Sequence, residues 1–461
     1  MDLPHPPELD PGFVPAELWV RRFETSVANS PGSTPMAVAI VRPDGSARRI
    51  DLEVLPHSGD GAARNSRHLD RLVKLLLWTR GGSELWIGGH PRLAQEVADR
   101  YSLTGERAFD AETVAGRVFQ TPLRVVACAL DEVPGSSSSS VALGGHLDGC
   151  RIGFDLGGSD RKCAAVIDGR VVHSEEVPWS PYFEPDPRYH FDGIMDSLRR
   201  AAAHLPRVDA IGGSAAGIYI DSEPRVGSLF RGIPPTVFDT EIRPLFRRLR
   251  AAWNGVPFEV ANDGEVTALA AAMSLGATAP LGIAMGTSLA SGFADADGHI
   301  TDSLNELAFV PVDYRENAPS DEWSGDRGCG VQYFSQQAVM RLAGAAGIEL
   351  APELSAAEGL VEVQRLMGVG DPRAEAIYRT IGAYLGHSIP WFARWYPFES
   401  LLVLGRVSSG PGGEVILDRA SRILAEESPD LWSRVRFVTP DETFKRHGQA
   451  IAAASLPRIT P

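Results

Sequence analysis

The sequence predicts an α/β protein of two or three domains. Three observations point there. At 461 residues the chain exceeds one ordinary domain. Short apolar runs alternate with segments of helical apolar spacing along most of its length. Two of the runs lead into a glycine turn and then a second apolar run: GFDLGGSDRKCAAVIDG at 153–169 and LGIAMGTSLASGFADA at 281–296.

The composition, 44% hydrophobic and 22% charged, is that of a globular protein. No apolar run reaches the roughly 18 residues of a membrane span. The stretch MDLPHPPELDPGF is acidic and Pro-rich, without the basic start and apolar core of a secretory signal. Cys128, Cys150, Cys163 and Cys329 show no CxxC spacing, so a reduced, cytoplasmic protein without disulfides is expected. A net charge of -15 argues against nucleic-acid partners.

Residues 1–140 read as an N-terminal α/β domain of unknown role. MAVAIVR (36–42) and RRIDLEVL (48–55) form a hairpin about Pro43-Asp44-Gly45. A helix over 67–80, a strand over 84–89, a helix over 91–101 and a strand over 123–130 follow. Pro134-Gly135 and the five serines 136–140 read as a flexible linker or exposed loop. Strands are then expected at 151–155, 162–168, 170–174, 208–213 and 257–262, with helices at 190–204, 238–253 and 264–275. The second half gives strands at 281–286, 290–296, 400–405 and 434–439. Its helices fall near 330–346, 355–367, 373–390, 413–426 and 441–455.

Three motifs carry candidate chemistry. In Asp155-Leu156-Gly157-Gly158-Ser159 the glycines let backbone N–H groups and a phosphate approach closely, Ser159 adds a hydroxyl, and Asp155 suits a hydrated Mg²⁺. The same residues make an ordinary hairpin turn. Gly286-Thr287-Ser288 repeats the device in the second half, which favours two turns facing one ligand across a cleft. Strand 257–262 ends in Asn262-Asp263-Gly264, where open α/β sheets bind ligands. An Asp there can take a proton from a hydroxyl attacking a phosphate, and an Asn can fix that hydroxyl. Both residues are also good helix caps.

In this order the motifs resemble the sugar-kinase branch of the actin/hexokinase/Hsp70 ATPase superfamily, and most closely the ROK family, from about Arg151 onward. DLGGSDRKCAAVIDGRVV and GIAMGTSLASGF are similar to its two phosphate motifs, VANDGEVTALAA to its Asn-Asp motif and NELAF to its Glu-x-Gly-His motif. AIGGSAAGIYID, SLFRGIP, LLVLGRVSSG and RHGQAIAAAS resemble further family segments. The resemblance implies a two-lobed actin-like (ribonuclease H-like) ATPase fold with an additional N-terminal α/β domain. The first lobe would span 151–280 and the second 281–461. It implies ATP- and Mg²⁺-dependent phosphorylation of a sugar or polyol hydroxyl, with Asp263 as the base. Asn262, Glu306, Gly217 and Ser228 would face the sugar. Asp155, Gly157, Gly158, Ser159, Gly286, Thr287, Ser288 and Gly405 would face the nucleotide, with Asp155 holding Mg²⁺ through water. A homodimer is the assembly the family suggests.

The chain departs from the family pattern in places. The zinc motif of one His and three Cys falls on Phe309, Glu322, Ser324 and Cys329, so no structural zinc is expected. Ser288, Ala290 and Arg406 stand where the family prefers glycine and put ATP affinity in question. That motivates a second reading, a non-catalytic sugar or nucleotide sensor. A DNA-binding repressor is disfavoured, because residues 1–150 carry 15 Lys and Arg against 19 Asp and Glu. An activator ATPase would need paired cysteines for an iron–sulfur cluster. Trp323 and the stretch Trp179–Phe183 are candidates either for a changed sugar pocket or for loop anchors.

Overall fold

The computed structural model describes residues 3–138, 143–440 and 448–459. The first part of the chain forms α1 (Ala16–Ala28), β1 (Thr34–Val41), β2 (Ala47–Val54), α2 (Gly59–Thr79), β3 (Glu84–Gly88), α3 (Pro91–Arg100), the single turn α4 (Ala108–Asp110) and β4 (Arg124–Cys128). Its sheet has the order β2-β1-β3-β4. The hairpin expected at 36–55 is present, with Gly45 at φ 85° in its turn. Strand β1 is buried on both faces. Met36, Val38 and Ile40 enter the main core, while Ala37 and Ala39 pack on Val133.

The next part forms β5 (Cys150–Leu156), β6 (Asp160–Ile167), β7 (Arg170–Pro178), α5 (Pro187–Ala202), β8 (Ala210–Ala215), the hairpin β9 (Ile218–Ile220) and β10 (Glu223–Val226), the short α6 (Pro235–Val237), α7 (Leu245–Ala252), β11 (Phe258–Asn262) and α8 (Asp263–Leu275). The five-stranded sheet has the order β11-β8-β5-β6-β7. Strands β5, β8 and β11 are parallel, and β5-β6-β7 is an antiparallel meander. Asp168 and Gly169 take φ of 46° and 77°, as a tight primed turn between β6 and β7 requires. The helix expected at 238–253 is broken, because Pro244 cannot donate to the preceding turn and α7 starts behind it.

The last part forms β12 (Pro280–Met285), β13 (Leu289–Phe293), α9 (Gln336–Ala345), α10 (Ala356–Gly368), α11 (Pro372–Ala393), β14 (Ser400–Leu404), α12 (Gly410–Glu427), the short α13 (Pro429–Trp432), β15 (Arg436–Val438) and α14 (Gln449–Ala454). Its sheet has the order β13-β12-β14-β15. The start of the helix expected at 441–455 lies outside the described residues. No helix among the described residues is long and apolar enough to cross a membrane.

Helices α8 and α14 pack against each other between the two sheets, sharing a small apolar cluster of Ala261, Leu269, Ala452 and Ala453. Although α14 follows the second sheet in sequence, it lies on β5 and β8 of the first. Gly153 and Gly212 permit this: a Cβ at either would lie 1.7 Å from the carbonyl oxygen of Ala450 or Ala453. The N-terminal elements share one continuous core with the second sheet, in which Phe13, Leu72 and Trp78 join Leu281, Tyr384 and Leu401. Part of the serine stretch is tethered rather than free. Ser137 bridges to Ala47, and Ser136 Oγ accepts from the Arg49 N–H at 3.0 Å. Ser139 and Ser140 lie outside the described residues.

Candidate functional site

The carboxyl ends of β5, β8 and β11 lie side by side, with Leu156 in register with Ala215 and Ala215 with Asn262. Asp155 is buried one residue before that end and accepts from Ser214 Oγ at 2.7 Å. Burial pushes its carboxyl up to about 6; Ser214 opposes the shift and the neighbouring Asp263 adds to it.

Of the two readings of Asn262-Asp263, the structure shows helix capping, carried by Asn262. Asn262 caps α8, its Oδ1 accepting from the Gly264 N–H at 2.7 Å, and its Nδ2 donates to Gly217 O at 2.6 Å. Gly217 sits at φ 133°, where a Cβ would lie 2.4 Å from Val226 O. Asp263 opens α8. Burial raises its carboxyl, against the opposing Gly264 N–H. Glu306 precedes the turn Leu307–Phe309, and its N–H donates to Trp78 O of α2 at 2.9 Å. Burial, then the charge of Asp263, pushes Glu306 up to about 8. The coupling of Asp155 and of Glu306 to Asp263 brings these three carboxylates into one electrostatic neighbourhood.

A cavity of about 650 Å³ opens beside them, and Asn262 and Glu306 are among its walls. Four further residues wall it: Glu265 and Tyr219, which lie within the Asn-Asp and AIGGSAAGIYID segments without a role assigned there, and Asp302 and Arg42, which lie outside the motifs. Glu265 lies two positions beyond Asp263, and its carboxylate accepts from Asn305 Nδ2 at 3.2 Å. Burial pushes it up to about 8. Tyr219 holds its hydroxyl out of solvent without a partner. Arg42, from the N-terminal hairpin, is 7% exposed, pairs with Asp302 at 3.4 Å and donates to the carbonyl of Arg80. The N-terminal sheet thus walls the cavity, a role that no local pattern in residues 36–55 signals. Ser228 lies in a short turn off the cavity, next to Gly227, which abuts Gly217.

The first glycine turn closes β5 onto β6, with the Gly157 N–H donating to Asp160 O at 3.0 Å. The exposed Ser159 donates its hydroxyl to Asp160 Oδ2 at 2.7 Å. Trp179 and Tyr182 anchor this turn: the Trp179 indole donates to Gly157 O at 2.7 Å, and a Cβ on Gly158 would lie 2.1 Å from the Tyr182 hydroxyl. Neither they nor Phe183 and Trp323, 78% and 65% exposed, line the cavity. The second turn joins β12 to β13, and Thr287 and Ser288 stand exposed at its tip. Gly286 accepts the Gln336 N–H at 2.9 Å. Gly405, at φ 103°, packs against the end of β12, where a Cβ would lie 2.5 Å from Met285 O. Arg406 points its side chain to solvent while its carbonyl accepts from Gln364. Neither turn, nor Asp155, is among the walls of the cavity.

The positions of the zinc motif do not fit a tetrahedral metal. Phe309 stacks on Trp78 with ring centroids 4.0 Å apart, and Ser324 bonds to Asp321 within its loop. Cys329 is fully buried, its thiol pushed up to about 12 by burial. Next to it stand the Lys74–Asp326 pair at 3.2 Å and the Arg107–Asp326 pair at 2.5 Å. Elsewhere, Asp295, Asp297 and His299 bring three ligand atoms within 4.8 Å of one another. Asp295 Oδ1 already accepts two backbone N–H groups there.

No protein-family model and no curated protein matches the chain. Among solved structures it is similar to a ROK hexokinase from Thermus thermophilus, at 21% identity over 66% of this chain and 97% of that one, with a TM-score of 0.51. It is also similar to a ROK family transcriptional regulator, a homolog of the E. coli MLC protein. That match has 18% identity over 67% of this chain and 78% of the other, with a TM-score of 0.54. The chain therefore has the two-lobed α/β fold of ROK proteins and of the wider actin/hexokinase ATPase group. About a third of it lies beyond the matched core, consistent with an added N-terminal domain.

Proposed function

We propose that the protein is an ATP- and Mg²⁺-dependent kinase that phosphorylates a hydroxyl of a sugar or sugar-like polyol. The observation that carries this reading is the convergence of Asp155 and Asp263 at the ends of three parallel strands, beside a cavity walled by Asn262 and Glu306. Phosphoryl transfer needs positioning and charge neutralisation more than covalent chemistry. Asp263 receives the proton of the attacking hydroxyl. Asn262, already fixed between Gly264 and Gly217, holds the geometry of that strand end. A protonated Glu306 donates to a sugar oxygen. Mg-ATP supplies the phosphoryl group, with Asp155, Gly157, Gly158 and Ser159 on one side and Gly286, Thr287, Ser288 and Gly405 on the other. A coupled ADP-release screen over hexoses, amino sugars and cyclitols tests the proposal. Turnover with one of them, lost in Asp263→Asn, is expected; no turnover, or equal turnover in the variant, overturns it.

A second reading, a non-catalytic sensor of sugar or nucleotide, is favoured by one observation. Tyr182 occupies the space that Gly158 would otherwise offer a phosphate. Calorimetry separates the two readings, since a sensor of sugar binds its ligand without measurable affinity for Mg-ATP.

A further inference from the structure

A second cavity, of about 810 Å³, lies between α2 and the loop 315–327 and shares no wall residue with the first. Its chemistry follows from one stripe of helix. Arg64, Arg67, Arg71 and Lys74 recur at three- and four-residue intervals, so α2 presents four cations along one face. The deep end of the stripe is neutralised. Lys74 pairs with Asp110 at 2.9 Å and Arg71 with Asp326 at 2.7 Å; Arg107, from the segment before α4, pairs with Asp70 at 2.7 Å.

The shallow end is not neutralised to the same degree. Arg64, Arg67 and Arg100 are about one-third exposed. The acids nearest Arg64 and Arg67 are Asp60, at 3.9 Å and 85% exposed, and Glu316, at 3.4 Å and 90% exposed. The carboxylate nearest Arg100 is Asp70, at 3.9 Å, which is already held by Arg107; Arg100 also donates to Ser66 O at 3.5 Å. Arg67 Nε is buried without a partner. Counting every wall residue, seven arginines face five carboxylates, in a protein whose net charge is -15. Burial and the neighbouring Arg71 both lower the proton affinity of Arg67, and the exposed Glu316 offsets this only in part.

We propose that this cavity binds a small phosphate-bearing anion, gripped by Arg64, Arg67 and Arg100 at its mouth and backed by Arg71. Guanidinium forks match phosphate oxygens in pairs, and partial burial spares the contacts from salt screening. The site stands on its own walls and does not depend on the kinase reading. It does share α2 with the cleft, because the far end of that helix accepts the Glu306 N–H.

Isothermal titration of the full chain at low salt with inorganic phosphate, pyrophosphate and glucose 6-phosphate tests the proposal. Saturable binding is expected, roughly 10- to 100-fold weaker in Arg67→Ala and in Arg64→Gln. Neither Arg64 nor Arg67 walls the first cavity, so weaker binding in these two variants separates this site from any phosphate site in the cleft. Arg64→Gln alters a side chain that is about one-third exposed and holds no buried ion pair, so it reads the site with less disturbance of the fold than Arg67→Ala. Which of the three ligands binds tightest tells free phosphate from an oligophosphate or a phosphate ester. No saturable binding of any of them, or binding in both arginine variants as tight as in the parent, overturns the proposal.

Discussion

Below the α2 stripe, Asp70, Asp110 and Asp326 are buried within reach of Lys74, Arg71 and Arg107. In the cleft, Asp155 is buried and Asp263, Glu265 and Glu306 are half-buried, with far less positive charge beside them. The physical outcome is opposite. Burial alone would raise Asp326, but the three cations hold it well below the usual carboxylate range, and Arg107 does the same for Asp70. In the cleft, burial wins. Lys162 opposes the shift of Asp155 and Arg42 that of Glu265, yet both carboxyls stay raised. The contrast between acids compensated by buried cations and acids left raised beside a cavity is the one expected between a stabilising cluster and a candidate ligand site.

That contrast can be broken at either end. The largest expected effect is on catalysis. Asp263→Asn removes the proton acceptor without changing shape, so turnover in the ADP-release assay should fall by about 10²- to 10⁴-fold while the melting temperature hardly moves. Next is Asp326→Ala, which removes the buried carboxylate shared by Lys74, Arg71 and Arg107 and takes from Arg71 its closest acid, while Lys74 keeps Asp110 and Arg107 keeps Asp70. A loss of roughly 3–5 kcal/mol in urea unfolding is expected. The folded fraction should keep its turnover number; a stable Asp326→Ala protein would mean that the cluster is not structural. Glu306→Ala, which removes the donor, should raise KM for the sugar by about tenfold, the worth of one hydrogen bond, and leave KM for ATP alone. The smallest effect belongs to Tyr182→Ala. Clearing the space over Gly158 should tighten Mg-ATP several-fold, read by calorimetry; an unchanged affinity would place the nucleotide elsewhere.

Much of this architecture was legible in the sequence because local rules governed it. The hairpin at Pro43-Asp44-Gly45, the Asp168-Gly169 turn and the cap at Asn262 each follow from residues adjacent in the chain. The alternation of strands and helices gave the α/β class for the same reason. Helix α1, whose AELWVRRFETSVA mixes charged residues into its apolar face, escaped that reading. So did the placement of α14, which depends on Gly153 and Gly212 some 240 to 300 residues away. In the cleft, the strand ends and turns carried their own signals. Arg42, Tyr219 and Asp302 reach the cavity only through tertiary packing, and no local spacing marks them. The arginine stripe was present as a helical period but had no meaning until the loop 315–327 was seen against it.

The charge imbalance of the cleft can be measured without knowing the substrate. A carboxyl whose proton affinity is raised by folding holds more protons folded than unfolded, so its ionisation destabilises the fold as pH rises. For Glu306 that window runs from the ordinary glutamate range up to about 8. The melting temperature of ligand-free Glu306→Gln, set against the parent from pH 5 to pH 8.5, reads this directly. The two should coincide near pH 5 and diverge as pH rises, the variant ending about 1–3 °C more stable. A variant that melts lower at every pH, or an offset that does not change with pH, would contradict the picture of uncompensated carboxylates awaiting a ligand.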